Sequence, residues 1–403
     1  MIGTEWQGRH FETGTICNAL AARGARAPHT NKPYSEALLF GVSGGIAVGY
    51  MTFQYQGWPP HLALLTRNTF DPWHTIVERL GIVEDTKETT DRDRGLANLI
   101  EAIESGSAPV IWADVFSLPY TALPKNEKIW QMMPMLVHGY DGASFHLADR
   151  SRRSLGVSIA DLMAARARVK KDRFRIATLS PPDAKRVPQA VEAGIRHCIA
   201  LFKGVGVPRG HSGSFGLAGL EKWADALANE KAKESWAKVF RTGADRLQAL
   251  AGRVGQPGLF IWIMTSGSAP DAERGLFADF LDEAAKILKQ PKLGPVADQF
   301  RKSQMLWRDV AEAALPASNS VLGETRELIS RQRQLFIENG QEADVERSEI
   351  RTRLAENAKA AAEVLDDSSG VLTVPLLRDI REHVLRIHAA EREAFAALET
   401  LFP

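Results

Sequence analysis

The sequence predicts an α+β fold over its first 180 residues and an all-α region after them, on three observations. Up to about residue 180, short apolar runs rich in β-formers alternate with helical patterns. The Pro-punctuated segment SPPDAKRVP (180–188) then breaks the chain. Beyond it nearly every stretch has helical period, with few β-branched runs. Domains are therefore expected at 1–180 and 185–403, the second ending in a long helical hairpin.

In chain order, GRHFETGTICNALAARG (8–24) predicts a helix over 13–23 with Gly24 as its stop. Helices follow at 34–41, at 72–80 before Gly81, at 93–105 and at 158–167. HLALLTR (61–67), APVIWADV (108–115), PMLVHGY (134–140), SFHLADR (144–150) and DRFRIATL (172–179) read as strands. MLVHGYDGASFHLAD predicts a hairpin turning at Tyr140, Asp141 and Gly142. Helices first and sheet later, joined by local hairpins, argue for α+β. In the second region helices are expected near 188–203, 216–228, 232–252, 272–288, 293–314, 321–366 and 374–400. The charged, periodic stretch from Glu324 to Leu365 reads as one arm of a helical hairpin or as a coiled-coil contact making a homodimer.

Composition narrows the function classes. The chain is 44% hydrophobic and 25% charged with formal net charge +1, so no basic excess points to nucleic acid and no acidic excess to disorder. Its two cysteines, Cys17 and Cys198, make neither a disulfide framework nor a CxxC zinc spacing. MIGTEWQGRHFE lacks the apolar core of a signal peptide, and no apolar run is long enough for a bilayer. A cytoplasmic protein without membrane partners is expected.

Three chemistries can be weighed. GVSGG (41–45) fits G-x-S-x-G, but it follows a helical pattern and precedes IAVGYMTF, the reverse of a nucleophile elbow. Ser43 reads instead as a small residue in a close-packed glycine turn. His10, Glu12, His29, His61 and His74 show no metal-ligand spacing, so no metal and no cofactor are expected. Cys17, His138 and Asp149 could form a thiol–imidazole–carboxylate set for acyl transfer. Against this, Cys17 lies inside the helix, on an apolar face with Ile16 and Leu20, where a free cysteine behaves as a small hydrophobe. Cys198 lies in a helical apolar stripe and reads as core.

GRHFETGTICNALAARG, YSEALLFGVSGGIAVGY, APVIWADVFSLPY and LVHGYDGASFHLADRS resemble, in that order, the N-terminal domain of the butirosin biosynthesis protein H family. GLAGLEKWADAL, SWAKVF, RGLFADFLDEAAKIL and LWRDVAEAAL resemble the helical domain that commonly follows it. The resemblance implies a papain-like, cysteine-peptidase-type domain adapted to synthesis, moving an acyl or aminoacyl group from a carrier-protein thioester to an amine through an acyl-cysteine. The family's His-Cys pair falls on His10-Phe11, so Phe11 takes the nucleophile's place. Its histidine falls on Met133, while His138, five residues on, is expected on the opposite strand face. Asp149 matches the carboxylate, Glu36 its SEALLFG motif, and Leu118, Pro119 and Tyr120 its LPY.

Three functional readings follow. In the first, an acyltransferase-related protein of small-molecule or peptide-modifying biosynthesis binds an amine or acyl donor, the latter on an acyl carrier protein. Its working groups would be His10, Glu12, Thr13, Asp114, Tyr120 or Asp149, with Phe11 and Met133 lining the cleft. In the second, a catalytically degenerate binding or partner subunit does no covalent chemistry. In the third, Cys17, His138 and Asp149 form a displaced thiol acyltransferase or peptidase.

Overall fold

The computed structural model describes residues 5–123, 129–170, 173–253 and 255–403. It is a mixed α/β chain with a sheet region toward the N-terminus and a helical region toward the C-terminus. The elements run α1 (Thr13–Ala22), α2 (Glu36–Val42), β1 (Ile46–Phe53), β2 (His61–Arg67), α3 (Pro72–Leu80), β3 (Glu84–Lys87) and α4 (Arg92–Glu104). Then come β4 (Val110–Asp114), β5 (Met132–Tyr140), β6 (Ser144–Ala148), β7 (Leu155–Ser158), α5 (Ile159–Arg166) and β8 (Ile176–Leu179). Residue 172, where the last of these strands was expected to start, lies outside the described residues.

The chain folds into two compact units. One comprises Met1–Leu39, Pro72–Ala190 and Gln332–Ile350; the other comprises Phe40–Asp71, Val191–Arg331 and Arg351–Pro403. One crossing, between Ala190 and Val191, falls just past the Pro-punctuated break, while the exchanged segments 40–71 and 332–350 carry no compositional mark.

The first unit is built on a six-stranded antiparallel sheet in the order β3-β8-β4-β5-β6-β7. The expected hairpin is its β5–β6 pair. Asp141 turns it by accepting from the amides of Ala143 (2.9 Å) and Ser144 (2.7 Å), and Tyr140 faces Phe145 across the ladder. One face of the sheet buries Ile111, Met135, Val137, Phe145 and Leu147 against Leu99 of α4 and Leu162 of α5. Helices α4 and α5 start where side chains satisfy their first amides. Asp91 accepts from Arg94 N at 2.7 Å and Ser158 from Asp161 N at 3.1 Å. Gly24 and Gly81, at φ +69° and +63°, end α1 and α3 in the left-handed conformation that their stops require.

In the second unit β1 and β2 pair antiparallel, with Tyr50 facing Leu64. IAVGYMTF is thus a strand entered from a helix, and the last three residues of GVSGG, Ser43–Gly45, are the turn between them. Ser43 Oγ is buried and donates to Phe40 O at 2.6 Å, and Asn68 Nδ2 donates to Ser43 O at 2.6 Å. The serine closes a turn, with its hydroxyl facing inward.

The remaining elements are α6 (Val187–Phe202), which crosses from the first unit to the second, α7 (Gly216–Ala228), α8 (Trp236–Val239), α9 (Gly243–Leu250), α10 (Leu259–Met264), α11 (Arg274–Ile287), α12 (Leu293–Ala314), α13 (Ser320–Asn339), α14 (Asp344–Leu365) and α15 (Thr373–Leu401). Two sequence expectations are corrected. The helix expected over 232–252 is two helices, because Thr242 accepts from Asp245 N and starts α9 afresh. The helix expected over 321–366 is also two, divided by a turn at Gly340–Ala343. Asn357 Nδ2 reaches Thr325 Oγ1 at 2.9 Å and Arg353 reaches Glu324 at 2.7 Å, so the charged stretch folds back on itself and supplies both arms of a hairpin.

The second unit encloses a polar centre. Arg274 of α11 and Glu391 of α15, both fully buried, pair at 2.7 Å. Glu391 also accepts from Ser303 Oγ (2.7 Å) and Trp307 Nε1 (2.8 Å), so the buried charges are hydrogen-bonded on all sides. Cys198 is buried beside it and donates to Ile46 O at 3.2 Å; burial pushes its thiol pKa far up, which suits a core residue.

Candidate functional site

The approach to α1 is held by a carboxylate from α2. Glu36 accepts from Arg9 N (2.6 Å), His10 N (3.1 Å) and Thr13 Oγ1 (2.8 Å). His10 Nδ1 accepts from Glu12 N at 3.3 Å. Glu12 stands at the N-cap without a side-chain cap bond. Two amides of the segment leading into the helix, those of Arg9 and His10, are thereby committed to Glu36. The helix itself is buried from Thr13 to Leu20, and Thr15 Oγ1 pins it to β5 through Pro134 O at 3.0 Å.

Cys17 is 2% exposed and its thiol donates to Tyr34 O at 3.3 Å. His138, on β5, has other partners. Its Nε2 lies 2.9 Å from Ser154 Oγ, and its ring lies 4.8 Å from Trp6 and 6.3 Å from His146. Burial, then the neighbouring His146, lowers its pKa to about 4, so the ring is neutral at pH 7.

Asp149, at the end of β6, organises the centre of the site. It is 1% exposed, and Arg150 grips it through Nε to Oδ1 (2.8 Å) and Nη2 to Oδ2 (2.9 Å). Tyr120 Oη donates to Oδ2 at 2.9 Å. Burial and then the Asp149 charge raise the Tyr120 pKa well above its ordinary value, which keeps the phenol a donor. Arg150 is pushed down by burial and up by Asp149, with the net shift upward. Its guanidinium carbon sits 3.9 Å over the Phe11 ring and 5.2 Å from that of Phe336. Phe11 and Met133 both pack, half-buried, against the core of the sheet.

The structure therefore gathers Phe11, Tyr120 and Asp149 around Arg150, with Met133 on the same core. Asp114 serves a different loop. Fully buried, it accepts from Ser117 Oγ (2.5 Å), Gln131 N (2.8 Å) and Phe116 N (3.3 Å), and so fixes the turn after β4.

Sequence reading missed three members. Arg150 stands beside Asp149 in the LADRS motif, and a cation next to a buried acid was the available signal. Phe336 and Arg347 come from the distant 332–350 segment. The Phe336 ring stacks 6.2 Å from Tyr120, and Arg347 donates to the carbonyls of Tyr120 (2.8 Å) and Thr121 (3.0 Å). No spacing within the sequence links them to residue 120.

Among the described residues no three His, Cys, Asp or Glu side chains converge as a metal site. No helix of the described residues is long and apolar enough to cross a membrane. No curated protein matches the chain. Residues 10–150, which span Phe11, Tyr120, Asp149 and Arg150, match the family model of butirosin biosynthesis protein H, N-terminal, the family that the sequence motifs resemble.

Proposed function

We propose that this protein is a biosynthesis-related, acyltransferase-like protein with a papain-like cleft that binds an amine or acyl substrate without forming an acyl-cysteine. The family match supports the acyltransferase-like class. The observation that carries the non-covalent reading is the saturation of Asp149 by Arg150 and Tyr120. In a Cys–His–carboxylate set the carboxylate orients an imidazole; here its oxygens are occupied by a guanidinium and a phenol. With Phe11 and Met133 in the places of the nucleophile and the histidine by resemblance, the Arg150 guanidinium over the Phe11 ring supports a binding role rather than an acyl-cysteine.

Cys17 does not fit the missing role. A reactive cysteine sits in a partly exposed, electropositive setting, whereas this thiol is buried and donates to a carbonyl.

The test is intact-protein mass spectrometry after incubation with acyl-pantetheine thioesters, on wild type and Cys17→Ala. No acyl mass is expected on either protein. An acyl adduct on wild type that Cys17→Ala lacks would overturn the reading and install Cys17 as the nucleophile.

A further inference from the structure

Arginine offers two hydrogen-bonding edges, a side-on edge made by Nε with one Nη and an end-on edge made by the two Nη groups. Arg150 spends the side-on edge on Asp149, through Nε and Nη2. No hydrogen bond from the described residues reaches its Nη1, and the side chain keeps 25% of its surface exposed, so the end-on edge is left uncommitted within the protein. This edge is held in place. Asp149 grips one side of the guanidinium, and the rings of Phe11 and Phe336 lie within cation–π range of it. Arg150 also adopts φ +52°, a left-handed conformation costly for a residue with a long side chain, such as clusters at ligand clamps.

We propose that the end-on edge of Arg150 is the recognition point for a carboxylate on the substrate of this site, an inference that rests on the non-covalent reading above. Bidentate pairing with a planar oxyanion is what that edge is shaped for. Geometry selects the oxyanion. Asp149 already cancels the Arg150 charge, so the edge offers coplanar donors with no net charge behind them, which match the planar two-oxygen fork of a carboxylate and leave the third oxygen of a tetrahedral phosphate unmatched. The substrate class is thus an acid whose carboxylate pairs with Arg150.

The probe is hexanoate, titrated into the full chain by calorimetry, with hexylamine and hexyl phosphate alongside. Saturable hexanoate binding is expected, with hexyl phosphate weaker and hexylamine silent. Arg150→Lys keeps a cation beside Asp149 but loses the fork, and is expected to weaken hexanoate roughly tenfold. Because that variant can fail to fold, a second measurement uses wild type alone. Phenylglyoxal modification, mapped by peptide mass, should label Arg150 in the free protein and spare it in the presence of hexanoate.

No saturable binding, binding unchanged in Arg150→Lys, tighter binding of hexyl phosphate, or labelling of Arg150 that hexanoate leaves unaltered would each overturn the proposal. These outcomes are separate from those of the thioester experiment. An acyl-Cys17 adduct defeats the non-covalent reading whatever Arg150 does, and an Arg150 indifferent to hexanoate defeats this assignment while leaving that reading standing.

Discussion

At His138 burial, rather than a counter-ion, sets the charge of an imidazole. The ring packs beside Trp6 and His146, and withdrawal from water, reinforced by His146, lowers its pKa from 6.5 to about 4. Between those two values the unfolded chain binds more protons at this position than the folded one, so stability rises with pH across the window. The contribution is fully present above pH 6.5 and is lost as the pH falls toward 4. Urea unfolding of wild type should therefore weaken more steeply from pH 6.5 to 4 than that of His138→Gln, which has no titrating group there. Parallel pH profiles for the two proteins would show that the ring titrates alike in both states. At the same scale Asp149 is held by its donors. Its oxygens accept three strong hydrogen bonds from groups that stay protonated, Arg150 by its nature and Tyr120 because burial holds its phenol neutral.

At the scale of elements, the corner between α13 and α14 closes the carboxylate end of the site. Ile337 O accepts from Arg152 N at 2.7 Å, Gln341 Oε1 accepts from Gly156 N at 2.8 Å on the edge strand β7, and Phe336 lies against Tyr120. Phe336 is 9% exposed, so Phe336→Ala should cost about 3–5 kcal/mol of unfolding free energy, whereas Phe336→Leu should cost clearly less. Urea midpoints measure both, and equal values for the two variants would mean that aliphatic bulk recovers nothing and that the ring itself carries the stabilisation. What the sequence made legible here was local. The glycine stops of α1 and α3, the Asp141 turn and the alternation along β6 all follow from near-neighbour chemistry. The corner was not legible, because Glu324–Leu365 has the period of a helix throughout and only Gly340 marks the reversal. Partner choice was not legible either. Arg347 reads as one more cation on a charged helix until its carbonyl partners at 120 and 121 are known.

At the scale of the whole molecule, the order of the chain and the order of the fold differ. The unit that holds Asp149 needs residues 332–350 from far downstream, while segment 40–71 leaves it for the other unit. The match to the family model runs straight through this exchange, since the matched residues 10–150 include 40–71. A fragment of residues 1–180, the first domain as the sequence suggests it, would carry all of the matched residues 10–150 and still be incomplete. It would lack Phe336 against Tyr120, Arg347 on the carbonyls of 120 and 121, and Gln341 on β7. Its β1–β2 pair would lack the second unit's own contacts, among them Trp236 Nε1 donating to Tyr50 Oη at 2.8 Å and Cys198 on Ile46. Tyr50 and Leu64, both fully buried in the whole protein, would be left with too little core to cover them. The fragment is expected to keep much of its far-ultraviolet circular dichroism, lose its near-ultraviolet signal, bind a hydrophobic dye and unfold without a sharp urea transition. The full chain, measured in parallel, should retain the near-ultraviolet signal and unfold cooperatively. A fragment 1–180 with a sharp transition and native near-ultraviolet signal would mean that the first 180 residues make a self-sufficient core and that the 332–350 corner is an addition to it rather than a part of it.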